Sequence, residues 1–111
     1  MLPKKQRINR ALFQEVLSKG ARYHSPHLSL CVLWKATNTR QFAFVVSKKI
    51  LRLAVTRNKV RRRGYAIVRG LKEEVSPSIV GAFFFKKGAE RLLFVALKQE
   101  IRDLLRQARL L

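Results

Sequence analysis

Acidic residues are scarce in this sequence. Six Asp+Glu stand against 25 Lys+Arg, and between residues 16 and 72 there is none. That scarcity excludes a surface neutralised by its own ion pairs, because ordinary surfaces interleave both signs. It also leaves no paired carboxylates of the kind two-metal hydrolysis needs. Cysteine is nearly absent: Cys31 stands alone, so no intramolecular disulfide can form, which fits a reducing compartment and a cytoplasmic location. His24 and His27 are the only histidines. With one isolated cysteine they make no zinc-ligand set, and neither has a clear partner for general acid–base work. No metal site and no catalytic side chain are therefore expected. Long apolar runs are missing too. The longest, Val80 to Phe85, falls far short of the ~20 residues of a membrane helix, so no membrane association is expected. The basic start, Met1 to Arg7, has no apolar stretch behind it, so no secretory signal is expected. Proline and glycine are few and form no linker, and nothing repeats. One domain over residues 1–111 follows, with residues 1–8 as a basic arm.

What is present is a core and a great deal of positive charge. The hydrophobic fraction is 48%, too high for a disordered polycation. A chain of this length buries roughly 65% of its unfolded surface, enough for one core. The net charge of +19 then lies on the surface of a folded domain. Such a surface repels itself, so the partner is a polyanion and the free protein is a monomer. No protein partner is implied.

Periodicity outlines the elements. Residues 9–19 read as a helix, with Ala11, Leu12, Val16 and Leu17 at helical spacing, Asn9 as N-cap and Gly20 as stop. Residues 28–35 read as a strand, residues 36–40 as a turn and residues 41–48 as a second strand. Phe42, Phe44 and Val46 share one face of it, and the two strands read as an antiparallel hairpin. From Ala54 to Leu71 the period is helical. Val60, Gly64, Ile67, Val68 and Leu71 form one apolar stripe. At about 100° per residue, Asn58, Arg62, Tyr65 and Arg69 fall opposite, while Arg57 and Arg61 flank the stripe. Ile79 to Phe85 is apolar on both faces and reads as a central strand. Glu90 to about Arg109 reads as a last helix, with Leu93, Leu97, Ile101, Leu104 and Ala108 inward. The order is α-β-β-α-β-α, an α+β domain of one sheet with packed helices.

The arginine-rich helix is the natural phosphate-binding element. Calmodulin targets and membrane helices need an exposed apolar face, and here that stripe serves the sheet. A DNA-binding helix-turn-helix needs a preceding helix, and strands precede this one. By charge alone DNA is harder to exclude than calmodulin or a membrane, so a nucleic-acid partner is expected without the kind being settled at this point.

The residues also carry a pattern. Phe42-Ala43-Phe44-Val45-Val46-Ser47-Lys48-Lys49 is followed by Ala54-Val55-Thr56-Arg57-Asn58-Lys59-Val60-Arg61-Arg62. Before them come Leu2-Pro3-Lys4-Lys5, Arg7-Ile8, Phe13, Gly20 and Tyr23-His24-Ser25-Pro26. This ordered set, spanning residues 2–69, resembles the bacterial ribonuclease P protein family, with its apolar strand ending in V-S-K-K and its RNR motif. The resemblance implies a mixed sheet with a left-handed β-α-β crossover through the RNR helix. It also implies a protein that binds the catalytic RNA of ribonuclease P and the 5′ leader of precursor tRNA. The RNA, with magnesium, performs the hydrolysis, so no cofactor is bound by the protein alone.

Three surfaces follow from the resemblance. Arg57, Asn58, Lys59, Arg61 and Arg62, extended by Arg63 and Arg69, contact the ribonuclease P RNA, although Arg57, at the stripe's border, also suits orienting the helix. Arginine holds phosphate at two points and stacks on bases. The leader cleft, between the first helix and the sheet, takes Phe13, with Phe42, Phe44, Ser47, Lys48 and Lys49 as further members. Phe42 and Phe44 fit a core role equally well, since alternation does not say which face is wet. Lys4, Lys5, Arg7 and Arg10 form an N-terminal contact or a free basic tail.

Three departures stand out. Leu17 occupies a position that is often aromatic, Tyr65 one that is often arginine, and Ile50-Leu51-Arg52 replace a common glycine after Lys49. A structural RNA-binding protein of related fold, such as a ribosomal protein, shares the charge but not the ordered motifs. A stand-alone basic nuclease lacks its carboxylates.

Overall fold

The computed structural model describes residues 8–35, 40–71 and 73–111. Helix α1 (Arg10–Lys19) leads into three strands, β1 (Ala21–His24), β2 (Leu28–Trp34) and β3 (Arg40–Val45). Helix α2 (Ala54–Leu71), strand β4 (Ile79–Phe85), a 3-10 turn (Ala89–Arg91) and helix α3 (Phe94–Gln107) follow. The four strands form one mixed sheet in the order β1-β2-β4-β3. No helix among the described residues is long and apolar enough to cross a membrane.

The first two predicted helices form where periodicity puts them. The Asn9 side chain accepts the Leu12 amide at 2.8 Å, capping α1. Gly20 ends it at a point where a Cβ would stand 2.5 Å from the Val16 carbonyl oxygen. In α2 the buried residues are Val60, Gly64, Ile67, Val68 and Leu71, the expected stripe. Gly64 lets α2 sink onto β3, since a Cβ there would meet the Phe44 ring at 2.5 Å.

Strand pairing differs from the expectation. The strands at 28–34 and 40–45 are not a hairpin, because β4 lies between them. It runs antiparallel to β2 and parallel to β3, which it reaches through α2. The physical reason is burial: β4 is apolar on both faces and takes the central position, where both faces are covered. Ala21–His24, outside the predicted elements, is a fourth strand paired antiparallel with β2. Only Tyr23 of this short strand turns inward, so its alternation is faint. The last helix also starts later than expected. The backbone is extended at Leu92 and Leu93, and Leu93, predicted inward, is 74% exposed. Leu97, Ile101, Leu104 and Ala108 are buried as predicted.

Apolar residues cover both faces of the sheet. On one, α2 and α3 close over Leu28, Leu30, Phe42, Phe44, Phe83 and Phe85. On the other, α1 brings Leu12, Phe13 and Val16 onto Cys31, Val80, Ala82 and Phe84.

Candidate nucleic-acid interface

The outward side of α2 is built by the spacing that buries its inner side. Asn58, Lys59, Arg62 and Arg69 are exposed, while Arg57, Arg61, Arg63 and Tyr65 are half-buried. An open hollow of about 730 Å3 runs along this flank, lined by Val55, Asn58, Arg61, Arg62, Tyr65 and Arg69. The Asn58 side-chain oxygen accepts from the Arg61 guanidinium. Two arginines of the motif turn back onto the protein. Arg57 donates to the carbonyls of Leu51 and Arg52, both at 2.9 Å, and Arg63 donates to the Leu92 carbonyl at 3.1 Å. Arg57 therefore ties the start of α2 to the loop before it, consistent with its place on the stripe's border.

Electrostatics separate this flank from the rest. Among the described residues the ion pairs are Lys35–Glu15, His27–Glu100, Arg102–Glu74 and Arg106–Asp103. None of them involves α2, so its exposed cations Lys59, Arg62 and Arg69 face water without a carboxylate to neutralise them. Elsewhere four acids, Glu15, Glu74, Glu100 and Asp103, are taken up in these pairs. Lys35 donates to both Glu15 oxygens at 2.6 and 2.9 Å, and that contact holds the Glu15 carboxyl below its ordinary range.

A second positive feature lies on the opposite face. Phe13 leans on Phe84, with ring centroids 6.2 Å apart. In the β3–β4 register Val45 stands beside Phe84 and Ala43 beside Ala82, so both share the α1 side with Phe13. All of these except Ala82 are half-buried. The result is a shallow apolar groove between α1 and β3. Just past β3, Ser47, Lys48 and Lys49 are exposed in a turn in which Ser47 takes the Ile50 and Leu51 amides. Leu17 is half-buried on α1, and its carbonyl accepts from Arg22. Arg10 is exposed at the start of α1; Lys4, Lys5 and Arg7 lie outside the described residues.

Two candidate residues are misplaced by the sequence reading. Phe42 and Phe44 are only 3% and 4% exposed and sit on the other face of the sheet. Phe44 stacks on Phe83 at 4.8 Å and 7°, beneath Gly64 of α2. They are core residues, because two helices pack on that face and exclude water. Phe84 was missed as a groove residue, since a strand apolar on both faces gives no hint of which side stays partly open. The clue available was its parity, opposite to that of Phe83 and Phe85.

A mixed four-stranded sheet with a basic helix on one face and an aromatic groove on the other defines an α+β architecture seen in solved proteins. A Staphylococcus aureus RNase P protein variant, described as defective in mRNA degradation, matches with a TM-score of 0.89 at 20% identity. That match covers 97% of this chain and 92% of that one. The RNase P protein from Thermotoga maritima matches with a TM-score of 0.83 at 19% identity, covering 91% and 96%. These establish the fold. At the level of sequence, the family model described as Ribonuclease P matches residues 2–109. A ribonuclease P protein component from Pseudanabaena sp. is 33% identical over 100% of this chain and 97% of its own length. One from Microcystis aeruginosa is 31% identical, covering 99% and 96%. The chain belongs to the ribonuclease P protein family, and RNA binding is the role that membership carries.

Proposed function

We propose that this chain binds the RNA subunit of ribonuclease P through Asn58, Lys59, Arg61, Arg62 and Arg69. On this reading Arg57 and Arg63 act mainly by fixing α2. The α1–β3 groove, with Phe13, Ser47, Lys48 and Lys49, holds the 5′ leader of precursor tRNA, and Arg10 with Lys4, Lys5 and Arg7 adds phosphate contacts. The carrying observation is the unneutralised flank of α2, whose affinity for RNA comes largely from counterion release. The groove suits a leader of variable sequence, because aromatic platforms in positive surroundings stack any base.

The phosphodiester hydrolysis itself is assigned to the RNA, which would hold the magnesium. Among the described residues no three His, Cys, Asp or Glu side chains come together to hold a metal. The protein contributes binding and screening of phosphate charge, working in the bacterial cytoplasm as a monomer until it meets RNA. The test mixes purified protein with a bacterial ribonuclease P RNA and precursor tRNA at low magnesium. Stimulated 5′ cleavage is expected; absence of stimulation would overturn the proposal.

A further inference from the structure

Tyr65 sits between the core and the basic flank of α2. The ring meets Phe44 edge to face at 5.0 Å and 73°. Its hydroxyl oxygen accepts the Phe44 amide at 3.3 Å. By strand order β3 is an edge strand, so that contact satisfies a donor at the sheet's border. The ring is held from one side by the core and lines the hollow on α2 with the other. Around it stand Arg61 and Arg62, Arg69 one turn on, Asn58, and the 70%-exposed Val55. Among the described residues the Arg62 and Arg69 side chains are in no ion pair.

We propose that this hollow is a slot for a single unpaired nucleotide of the bound RNA, its base stacked on Tyr65 and its phosphate held by Arg62 and Arg69. The proposal rests on the RNA-binding function above and adds a base-sensitive element to a surface otherwise reading phosphates. Its chemistry is consistent in three respects. A hollow of about 730 Å3 lies within the ~300–1,000 Å3 usual for small-molecule sites. A fixed aromatic ring loses little freedom on stacking, so the site is preorganised. The Asn58 oxygen is taken by Arg61, which leaves its amide N–H2 to donate to a base acceptor. An arginine at position 65 would supply one more charge to a helix already rich in charge; tyrosine supplies a platform.

Two measurements test it. Adenosine 5′-monophosphate is titrated into the wild-type protein while the Tyr65 ring protons are followed by NMR, assigned with Tyr65→Phe. Stacking is expected to move them upfield, and by more than uridine 5′-monophosphate does. The affinity for ribonuclease P RNA is then compared across variants and salt concentrations. Tyr65→Leu is expected to bind about tenfold more weakly with an unchanged salt slope, and Tyr65→Phe within about twofold of wild type. Arg62→Ala should instead lower the slope by about 1. Unmoved Tyr65 signals, or wild-type affinity in Tyr65→Leu, would overturn the slot while leaving the RNA-binding function standing. A wild-type protein that does not bind the RNA overturns that function, and the nucleotide titration still decides the slot. Should Tyr65→Leu fail to fold, the same titration decides it.

Discussion

The two faces of the sheet differ in how many helices cover them. A helix is ~10 Å across and strands lie ~4.8 Å apart, so one helix covers about two strands. The face under α2 and α3 has two helices for four strands and is dry: Phe42, Phe44, Phe83 and Phe85 are all buried there. Among the described residues the other face carries one helix, α1, which packs over β2 and β4. Val45 and Ala43 of β3, with Phe84 and Phe13 beside them, are left half-covered. The groove is thus a consequence of helix number. Aromatic residues on the two faces differ in exposure for that reason, and the contrast can be tested.

The largest effect should come from the dry face. Phe44→Ala removes a ring that stacks on Phe83 and contacts Tyr65 and Phe85. A loss of roughly 3–5 kcal/mol in chemical denaturation is expected, as for buried phenylalanines generally. A loss below ~1 kcal/mol would mean that the two faces are not so different.

Next in size is a contrast between helices on that same face. The outer side of α3 carries Arg102 and Arg106, each paired with an acid, Glu74 and Asp103. The outer side of α2 carries unpaired cations. Arg61→Ala with Arg62→Ala should weaken binding to ribonuclease P RNA by about 100-fold at low salt and flatten its salt dependence by about 2. Arg102→Ala with Arg106→Ala should stay within about threefold. Equal losses from the two pairs would show that net charge, and not its placement, governs binding.

A smaller effect is expected on the open face. Phe13→Ala should weaken leader-bearing precursor tRNA by about tenfold, the order of one lost stacking contact, and mature tRNA hardly at all. Its stability cost should be well below that of Phe44→Ala, since Phe13 keeps part of its surface in water. Equal weakening of both RNAs would remove Phe13 from the leader site.

How much of this could be read in the sequence follows the same division. The stripe Val60–Leu71 and the shared face of Phe42, Phe44 and Val46 are local periodicities, and both appear in the structure as expected. So does the outward position of Asn58, Arg62 and Arg69, whereas Tyr65, expected beside them, leans back onto Phe44. What alternation lacks is an absolute reference: it groups Phe42 with Phe44 without saying which face two helices will cover. The order of strands is likewise set by a non-local competition, won by the doubly apolar β4. Hence neighbours in sequence, β2 and β3, are not neighbours in the sheet. Phe84 joined the groove, and Phe42 and Phe44 left it, for that one reason.

The smallest predicted effect concerns the corner where α3 meets the β1–β2 turn. Glu100 of α3 accepts the Ser25 hydroxyl at 2.7 Å, the His27 amide at 3.1 Å, and pairs with the His27 ring at 2.6 Å. Burial, the largest single influence, pushes its carboxyl upward. The hydrogen bonds from Ser25 and then His27 together outweigh it and hold the group below the ordinary 4.5. The unfolded chain therefore binds this proton more tightly than the folded one. The stability Glu100 contributes is complete above the unfolded value and drains away as pH falls through the lower folded value. Glu100→Gln should cost about 1 kcal/mol at pH 7, less than a fully buried charged hydrogen bond, because water screens a partly open pair. As pH falls below the ordinary 4.5 and through the lower folded value, the gap between variant and wild type should narrow, since the wild-type carboxyl then takes up its proton too. Denaturation curves at pH 7, 5 and 3 measure that gap directly. A gap that stays constant across the three would mean that Glu100 fastens the corner by shape and not by charge, and that the dry face keeps its edge closed without help from an ion.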